Sequence, residues 1–295
     1  MKIAVFWGCR ILTDQYAYEM SVRELLPAFQ IRLVDLSESS CCGDPLKSVN
    51  NFAADYLGAR ILAVANLTGL TDLLVPCNRC HFTISEAMNT MRGNQKLGEK
   101  IKSLLKEENL KYNPNIKLWH IIDFLHDCVG LEKIKNSLVT PLNGLNFATH
   151  VGCQLIRYSD LKRPDRAENP FKLDDLVSAL GATSVDYDRK LDCCGSGLMY
   201  AHPNSALALA GSKLKSIKNS NVDGLVVSCP ECQMMFDAKQ ADAQAIVGAK
   251  FSLPVIYLTQ LMGLALGLSK EKIGLDLNQS PIDQLLTKIP LSQKG

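Results

Sequence analysis

Hydrophobic positions along the chain follow two patterns. Short apolar, β-branched and aromatic runs end in turn signals: "KIAVFWGC" from Lys2, "IRLVDL" from Ile31, "DLLVPC" from Asp72 and "IKLWH" from Ile116. Four more follow: "LNFATHVGC" from Leu145, "TSVDYD" from Thr183, "DGLVVSC" from Asp223 and "LPVIYL" from Leu253. Runs of this length and composition read as buried strands. Helical periodicity lies between them. In "DPLKSVNNFAADYLGARILAVANLTG" the positions Leu46, Val49, Phe52, Ala53, Tyr56 and Leu57 share one face, with Asp44 and Pro45 at N-cap and first-turn positions. "PNSALALAGSKLKSIKNS" from Pro203 takes the same place in the second half of the chain. Strands alternating with helices predict an α/β fold of two pseudo-symmetric domains, each a small, mainly parallel sheet flanked by helices. The expected division is 1–140 and 141–268, with the boundary near "LVTPLNGL" (138–145). The charged, proline-containing segment 269–295 is expected to be a surface tail.

The cysteines repeat with the strands. Cys9 is followed after 31 residues by Cys41-Cys42-Gly43, and after 33 more by Cys77-x-x-Cys80. Cys153 is followed after 39 residues by Cys193-Cys194-Gly195, and again after 33 by Cys229-x-x-Cys232. The identical second interval marks a duplicated unit. Every cysteine of the two sets falls at or just beyond the C-terminal end of a predicted strand, the edge where open α/β sheets bind ligands. Cys128 stands outside the repeat and reads as a small buried hydrophobe. Gly43 and Gly195 read as positions of close backbone approach or positive φ.

Composition narrows the chemistry. With 32 basic and 30 acidic residues in 295, nothing marks a nucleic-acid or polybasic membrane surface. The N-terminus lacks the long apolar core of a signal peptide. The apolar stretch from Val255 is interrupted by Thr259 and Gln260 and falls short of the roughly 20 residues that span a bilayer. The expectation is a cytoplasmic protein with no membrane span. Eleven cysteines in such a chain point to metal ligation or redox work rather than a disulfide framework. Neighbouring cysteines also fit poorly into one disulfide. Structural zinc takes four ligands and would leave one thiol over in each half. A cubane [4Fe–4S] cluster likewise takes four. Five thiols on one strand edge suit an iron–sulfur cluster with a bridging thiolate; the alternative is that one cysteine per half merely packs.

The paired C…CCG…CxxC arrangement resembles the CCG-domain family and, within it, most closely the B-type subunits of heterodisulfide reductase. The likeness covers nearly the whole chain and includes "HVGCQLIRYSDLKRPDRAENPFKLDDLVSALGA" (150–182), "CNRCHFTI" and "PVIYLTQLMGLALGL". The 295 residues carry no ferredoxin-like CxxCxxCxxxCP motif. The resemblance implies two noncubane [4Fe–4S] clusters facing each other across the halves. One would be held by Cys9, Cys41, Cys42, Cys77 and Cys80, the other by Cys153, Cys193, Cys194, Cys229 and Cys232. It further implies a catalytic role for these cysteines: reduction of a disulfide, the coenzyme M–coenzyme B heterodisulfide or a related one, to two thiols between the clusters. The implied partners are a C-type iron–sulfur subunit and a flavin-containing A-type subunit, with a hydrogenase or formate dehydrogenase beyond them. One position departs from the pattern. Methanogenic members commonly carry His after the first cysteine of the second unit; here it is Gln154, which supplies no proton near neutral pH. This departure bears on which disulfide is bound more than on the cluster chemistry.

Arg10, Arg79 and Arg157 are candidates for a sulfonate, phosphate or carboxylate on a thiol substrate, or are solvated cations. His81 is a candidate donor to cluster or substrate, or an ordinary helix-start histidine. His150, inside a predicted strand, reads as a satisfied core histidine, and His202 as a border of the second cluster or a surface turn. Two alternative functions remain open at this point. One is an electron-relaying CCG subunit of a lactate-, glycolate- or quinone-linked oxidoreductase; the other is a zinc-stabilised interaction module.

Overall fold

The computed structural model describes residues 1–157, 161 and 163–289. Part of the 150–182 motif and the end of the C-terminal segment therefore lie outside the described residues. Among the described residues, eight strands form two four-stranded sheets. The first contains β1 (Lys2–Val5), β2 (Arg32–Asp35), β3 (Asp72–Leu74) and β4 (Lys117–Trp119), in the order β2-β1-β3-β4. The second contains β5 (Asn146–His150), β6 (Thr183–Ser184), β7 (Gly224–Val227) and β8 (Val255–Tyr257), in the order β6-β5-β7-β8. All six pairings are parallel. Each predicted run contains one strand, and the shared strand order bears out the duplication. The central strands are buried on both faces, as helix-covered parallel sheets require.

Corresponding helices follow corresponding strands. Asn51–Leu67 matches Pro203–Lys218, and each packs against the glycine of its CCG turn. Gly43 (φ 93°) and Gly195 (φ 89°) are left-handed, and a Cβ there would come within 2.9 Å of Ala54 Cα and 2.5 Å of Ala206 O. Only glycine fits both demands. The first long helix differs at its start from the sequence expectation. Asp44–Leu46 is a separate short 3-10 turn, and the helix begins after Asn50, whose side chain caps Ala53 N at 3.1 Å. Asp44 turns inward to Arg79, and Val49 is 79% exposed, so the apolar face starts at Phe52.

The halves share one apolar core and are stitched at several points. Tyr18 is fully buried and stacks on Tyr257 with ring centroids 4.1 Å apart. Its hydroxyl reaches Pro76 O (3.2 Å) and Ser228 O (2.7 Å), the carbonyls just before the two Cys-x-x-Cys segments. Ser21 Oγ meets Thr259 Oγ1 at 2.7 Å. The segment from 269 to 289 is not a surface tail. Ile273, Leu275, Ile282, Leu285 and Ile289 are buried. Gln260 donates to Ile273 O, Gly274 O and Asn278 Oδ1, while Asp237 accepts from Gln279 N and Ser280 N. The charges seen in the sequence lie on one side of short turns whose other side is apolar.

Candidate metal centres

Each unit gathers its five thiols at the C-terminal edge of its sheet. The first cysteine follows strand one through a glycine, the adjacent pair closes the loop after strand two, and Cys-x-x-Cys opens a helix after strand three. Gly8 lets the chain pass close to the far thiol, since a Cβ there would sit 2.6 Å from Cys80 Sγ. Hydrogen-bond contacts run through the first set in the order Cys9, Cys41, Cys42, Cys80, Cys77. They run through the second in the same order, Cys153, Cys193, Cys194, Cys232, Cys229. Sulfur-to-sulfur distances in the second set include 3.7 Å for Cys153–Cys193 and 3.4 Å for Cys194–Cys232. All eleven thiols are free.

The thiols of each set share charge. Cys41 is pulled far below the ordinary thiol range because Cys42, then Cys9, donate to its sulfur, helped by the backbone N–H of Gly43. Cys193 is pulled down by Cys153, then Cys194, again with the glycine N–H of its turn, 3.4 Å from Sγ. The thiols contacting them, Cys9, Cys42, Cys153 and Cys194, are pushed up, first by that contact. Five converging sulfurs, a poised thiolate and a glycine-lined approach fit a thiolate-ligated iron–sulfur centre. A four-ligand zinc site would leave one sulfur of each connected set unused.

The loops that carry the two sets interlock. Asn78, inside the first Cys-x-x-Cys, donates from Nδ2 to Val151 O at 2.8 Å. Glu231, inside the second, lies 3.8 Å from Arg79 and 3.9 Å from Arg10. A cavity of about 140 Å³ brings together Asn78, Arg79, Gln154, Glu231 and the cysteines of the second set. A second cavity of about 350 Å³ opens beside Cys9 and Cys41. A narrow gap lined by Gln154, His81 and Arg163 leads on to a third, of about 300 Å³, lined in part by His81, Arg92, Lys117 and Asp123.

The remaining candidates divide. Gln154 lines the inter-unit cavity. Arg79 lines it too, but its guanidinium is bound to Asp44 through Nε at 2.7 Å and a second short contact, so it is not free for a ligand. Arg10 pairs through Nε with Asp14 at 3.2 Å, with Glu231 further off at 3.9 Å. Arg157 is exposed and donates to Leu191 O. His81 is buried, edge-on to His120, and burial lowers it to about 4, so it is neutral. His202 is exposed ahead of the helix Pro203–Lys218. Cys128 is exposed, not buried: it lies on the outer side of a π-helical turn, Phe124–Gly130, whose Phe124 and Leu125 fill the core. His150 is buried at the second set but only half satisfied. Its Nδ1 meets Lys213 Nζ at 2.8 Å, while Nε2 has no partner. Burial, then Lys213, keep it neutral. Sequence reasoning passed over Lys213, Glu231, Asn78 and Tyr18. Lys213 and Tyr18 carried a signal only as polar groups within apolar helical patterns.

The chain is similar to several known proteins. The model of the cysteine-rich domain CCG matches twice, over residues 3–85 and 147–237. The B-type subunit of the ferredoxin/F(420)H(2)-dependent CoB-CoM heterodisulfide reductase of Methanosarcina acetivorans is 34% identical over 292 residues, 98% of this chain and 97% of its own. The 8-methylmenaquinol:fumarate reductase membrane anchor subunit of Wolinella succinogenes is 30% identical over 94% of this chain and 96% of its own. A hypothetical protein from Helicobacter pylori shares the fold, with a TM-score of 0.74 and 17% identity over 95% of this chain and 52% of its own. Among the described residues no helix is long and apolar enough to cross a membrane.

Proposed function

The chain belongs to the cysteine-rich CCG-domain family, and from that premise we propose that it is the catalytic iron–sulfur subunit of a heterodisulfide-reductase-type complex. Cys9, Cys41, Cys42, Cys77 and Cys80 hold one noncubane [4Fe–4S] cluster, and Cys153, Cys193, Cys194, Cys229 and Cys232 hold the other. The observation that carries this reading is the same five-thiol chain of contacts in both halves, with the two loops interlocked through Asn78, Glu231 and Tyr18. Bound there, the clusters would supply the two electrons that, together with two protons from solvent, turn a disulfide into two thiols. The protein's own groups bind and orient. Gln154 sits in the cavity between the units, where its amide hydrogen-bonds a substrate or fixes a water. Arg79 is held by Asp44 and lends positive charge to the cavity without turning to a ligand. Neutral His81 and Gln154 line the gap toward the third cavity, giving an extended substrate a path away from the cysteines. Electrons come from a C-type iron–sulfur subunit and a flavin-containing A-type subunit, with a hydrogenase or formate dehydrogenase behind them, in the cytoplasm.

Anaerobic purification with its natural partners tests the proposal. Iron and acid-labile sulfide at about four each per cluster are expected, together with reduction of at least one disulfide from a panel that includes the coenzyme M–coenzyme B heterodisulfide. Zinc in place of iron would overturn the reading. The Wolinella relative supports a second one, an electron-relaying subunit of a quinol-linked oxidoreductase. Normal cluster reduction with no turnover of any disulfide would favour it.

A further inference from the structure

Aligning the two units through their common intervals places Phe6 opposite His150 and Ile61 opposite Lys213. All four side chains are buried. The first unit therefore has a buried apolar pair where the second has a buried imidazole and a buried ammonium. Lys213 is wholly buried, and its three N–H groups meet three acceptors: His150 Nδ1 at 2.8 Å, Lys190 O at 2.9 Å and Asp192 O at 2.8 Å. An ammonium has three donors and no acceptor, so His150 Nδ1 must accept. The imidazole proton is thereby fixed on Nε2. That atom is buried and unpartnered, and His150 has a ring nitrogen within 4.8 Å of the sulfurs of Cys194 and Cys232. An orphaned buried N–H is costly, and one so placed calls for an acceptor in the cysteine cage.

We infer that Lys213 and His150 are positioning residues that aim an Nε2–H donor at sulfur of the centre held by the second cysteine set. The inference rests on the iron–sulfur reading above. Adding one electron to such a centre adds negative charge to its sulfurs, and a fixed N–H donor stabilises that charge without transferring a proton. The second site is thus easier to reduce than it would be with the lining of the first. Lys213 also ties the loop Lys190–Asp192 to β5, so the same ammonium sets the approach to Cys193 and the tautomer of His150. Among the described residues the first unit has no such link: its loop before Cys41 is held by Arg60 to Glu38 O at 3.0 Å.

The test gives the second unit the first unit's lining, His150→Phe with Lys213→Ile, in full-length protein on a Cys41→Ser background that leaves the second site to be read alone. Iron at the second site should be retained. At a fixed applied potential the ratio of reduced to oxidised centre should fall about tenfold, a shift of ~59 mV to lower potential for a one-electron couple. The parent's exchangeable-proton coupling in the EPR signal should disappear. An unchanged potential with iron retained would reduce the pair to packing and overturn the inference. A strong nitrogen coupling in the parent, lost in the variant, would make His150 an iron ligand and also overturn it. Should the double variant not fold, Lys213→Met decides: His150 stays but its tautomer is released, so the potential must fall, and a constant potential refutes the assignment. A parent protein that holds zinc or no metal would instead sink the functional reading itself.

Discussion

The two units share one strand order and carry different linings. Strand order, the left-handed glycine after each cysteine pair and the order of sulfur contacts repeat. Around them the second unit carries Lys213 and His150 where the first carries Ile61 and Phe6, while Cys9 is exposed and Cys153 half-buried. Backbone geometry is fixed by what five sulfurs at one sheet edge require, and a change there breaks the cage. The lining is constrained only by packing and by polar satisfaction, so it can diverge and give two similar cages different electrostatics.

The largest expected effect tests whether the units are independent. Cys193→Ser should leave a folded protein with roughly half the parent's iron, if each site holds the four irons of one cluster. Cys41→Ser should do the same from the other side. Loss of all iron from either variant, with the circular-dichroism spectrum unchanged, would mean that the cages do not stand alone.

A second test weakens the seam. Tyr18→Phe keeps the stack on Tyr257 but removes the hydroxyl shared by Pro76 O and Ser228 O. The loss is unequal, because Pro76 O also meets His120 Nε2 at 2.8 Å. Ser228 O, ahead of the second Cys-x-x-Cys, loses its Tyr18 donor outright. A destabilisation of about 2 kcal/mol is expected by denaturant titration, with the second site losing metal first under a chelator. Equal loss from both sites would show that the seam acts symmetrically.

Much of this was legible in the sequence, and the reason is geometric. A cage of thiols fixes spacing, so the intervals exposed the duplication, and parallel strands buried on both faces leave compact apolar runs. What escaped depended on contacts between distant segments. Lys213 lies in a helix with Lys215 and Lys218 and looks like a solvated cation; its acceptors come from the loop at 190–192 and from β5. Asp44 looks like a cap, but Arg79, 35 residues on, draws it inward. The exposed face of Cys128 results from one π-helical turn, which shifts every following side chain and leaves no mark on local periodicity. The C-terminal segment hides alternating burial within short turns that no helical or strand period describes.

A smaller effect compares Asp123 with its counterpart, Gln260. Both follow the last strand of their sheet by a short interval into the next helix. Gln260 satisfies its amide on Tyr257 N, Ile273 O and Gly274 O. Asp123 has a buried Oδ1 with no partner, and burial raises it from 3.8 to about 7. The folded protein therefore holds a proton between those values that the unfolded chain has lost. Stability must fall as pH rises through that window, with no penalty below it and the full penalty above it. Asp123→Asn should flatten that part of the pH profile and raise stability by about 1–2 kcal/mol at pH ~8 relative to the parent, after allowance for solvent at its open edge. Equal pH slopes for the two proteins would show that Asp123 titrates normally.

The smallest effect concerns the thiol outside both cages. Cys128 is exposed, so a soluble alkylating reagent should modify it first if metal protects the other ten. Its burial is slight but still raises its thiol, with Asp72 adding to the effect, which slows the reaction at neutral pH without preventing it. The corresponding stretch of the second unit, the helix Leu258–Ala265, is buried throughout, so the two units use this region differently. Cys128→Ser should change stability by no more than about 0.5 kcal/mol and leave the iron content and both potentials where they were. A fall in iron would bring Cys128 into the metal chemistry and end the description of the protein as two sets of five. Unchanged iron together with loss of the fast-alkylating thiol would confine that chemistry to the ten repeated cysteines.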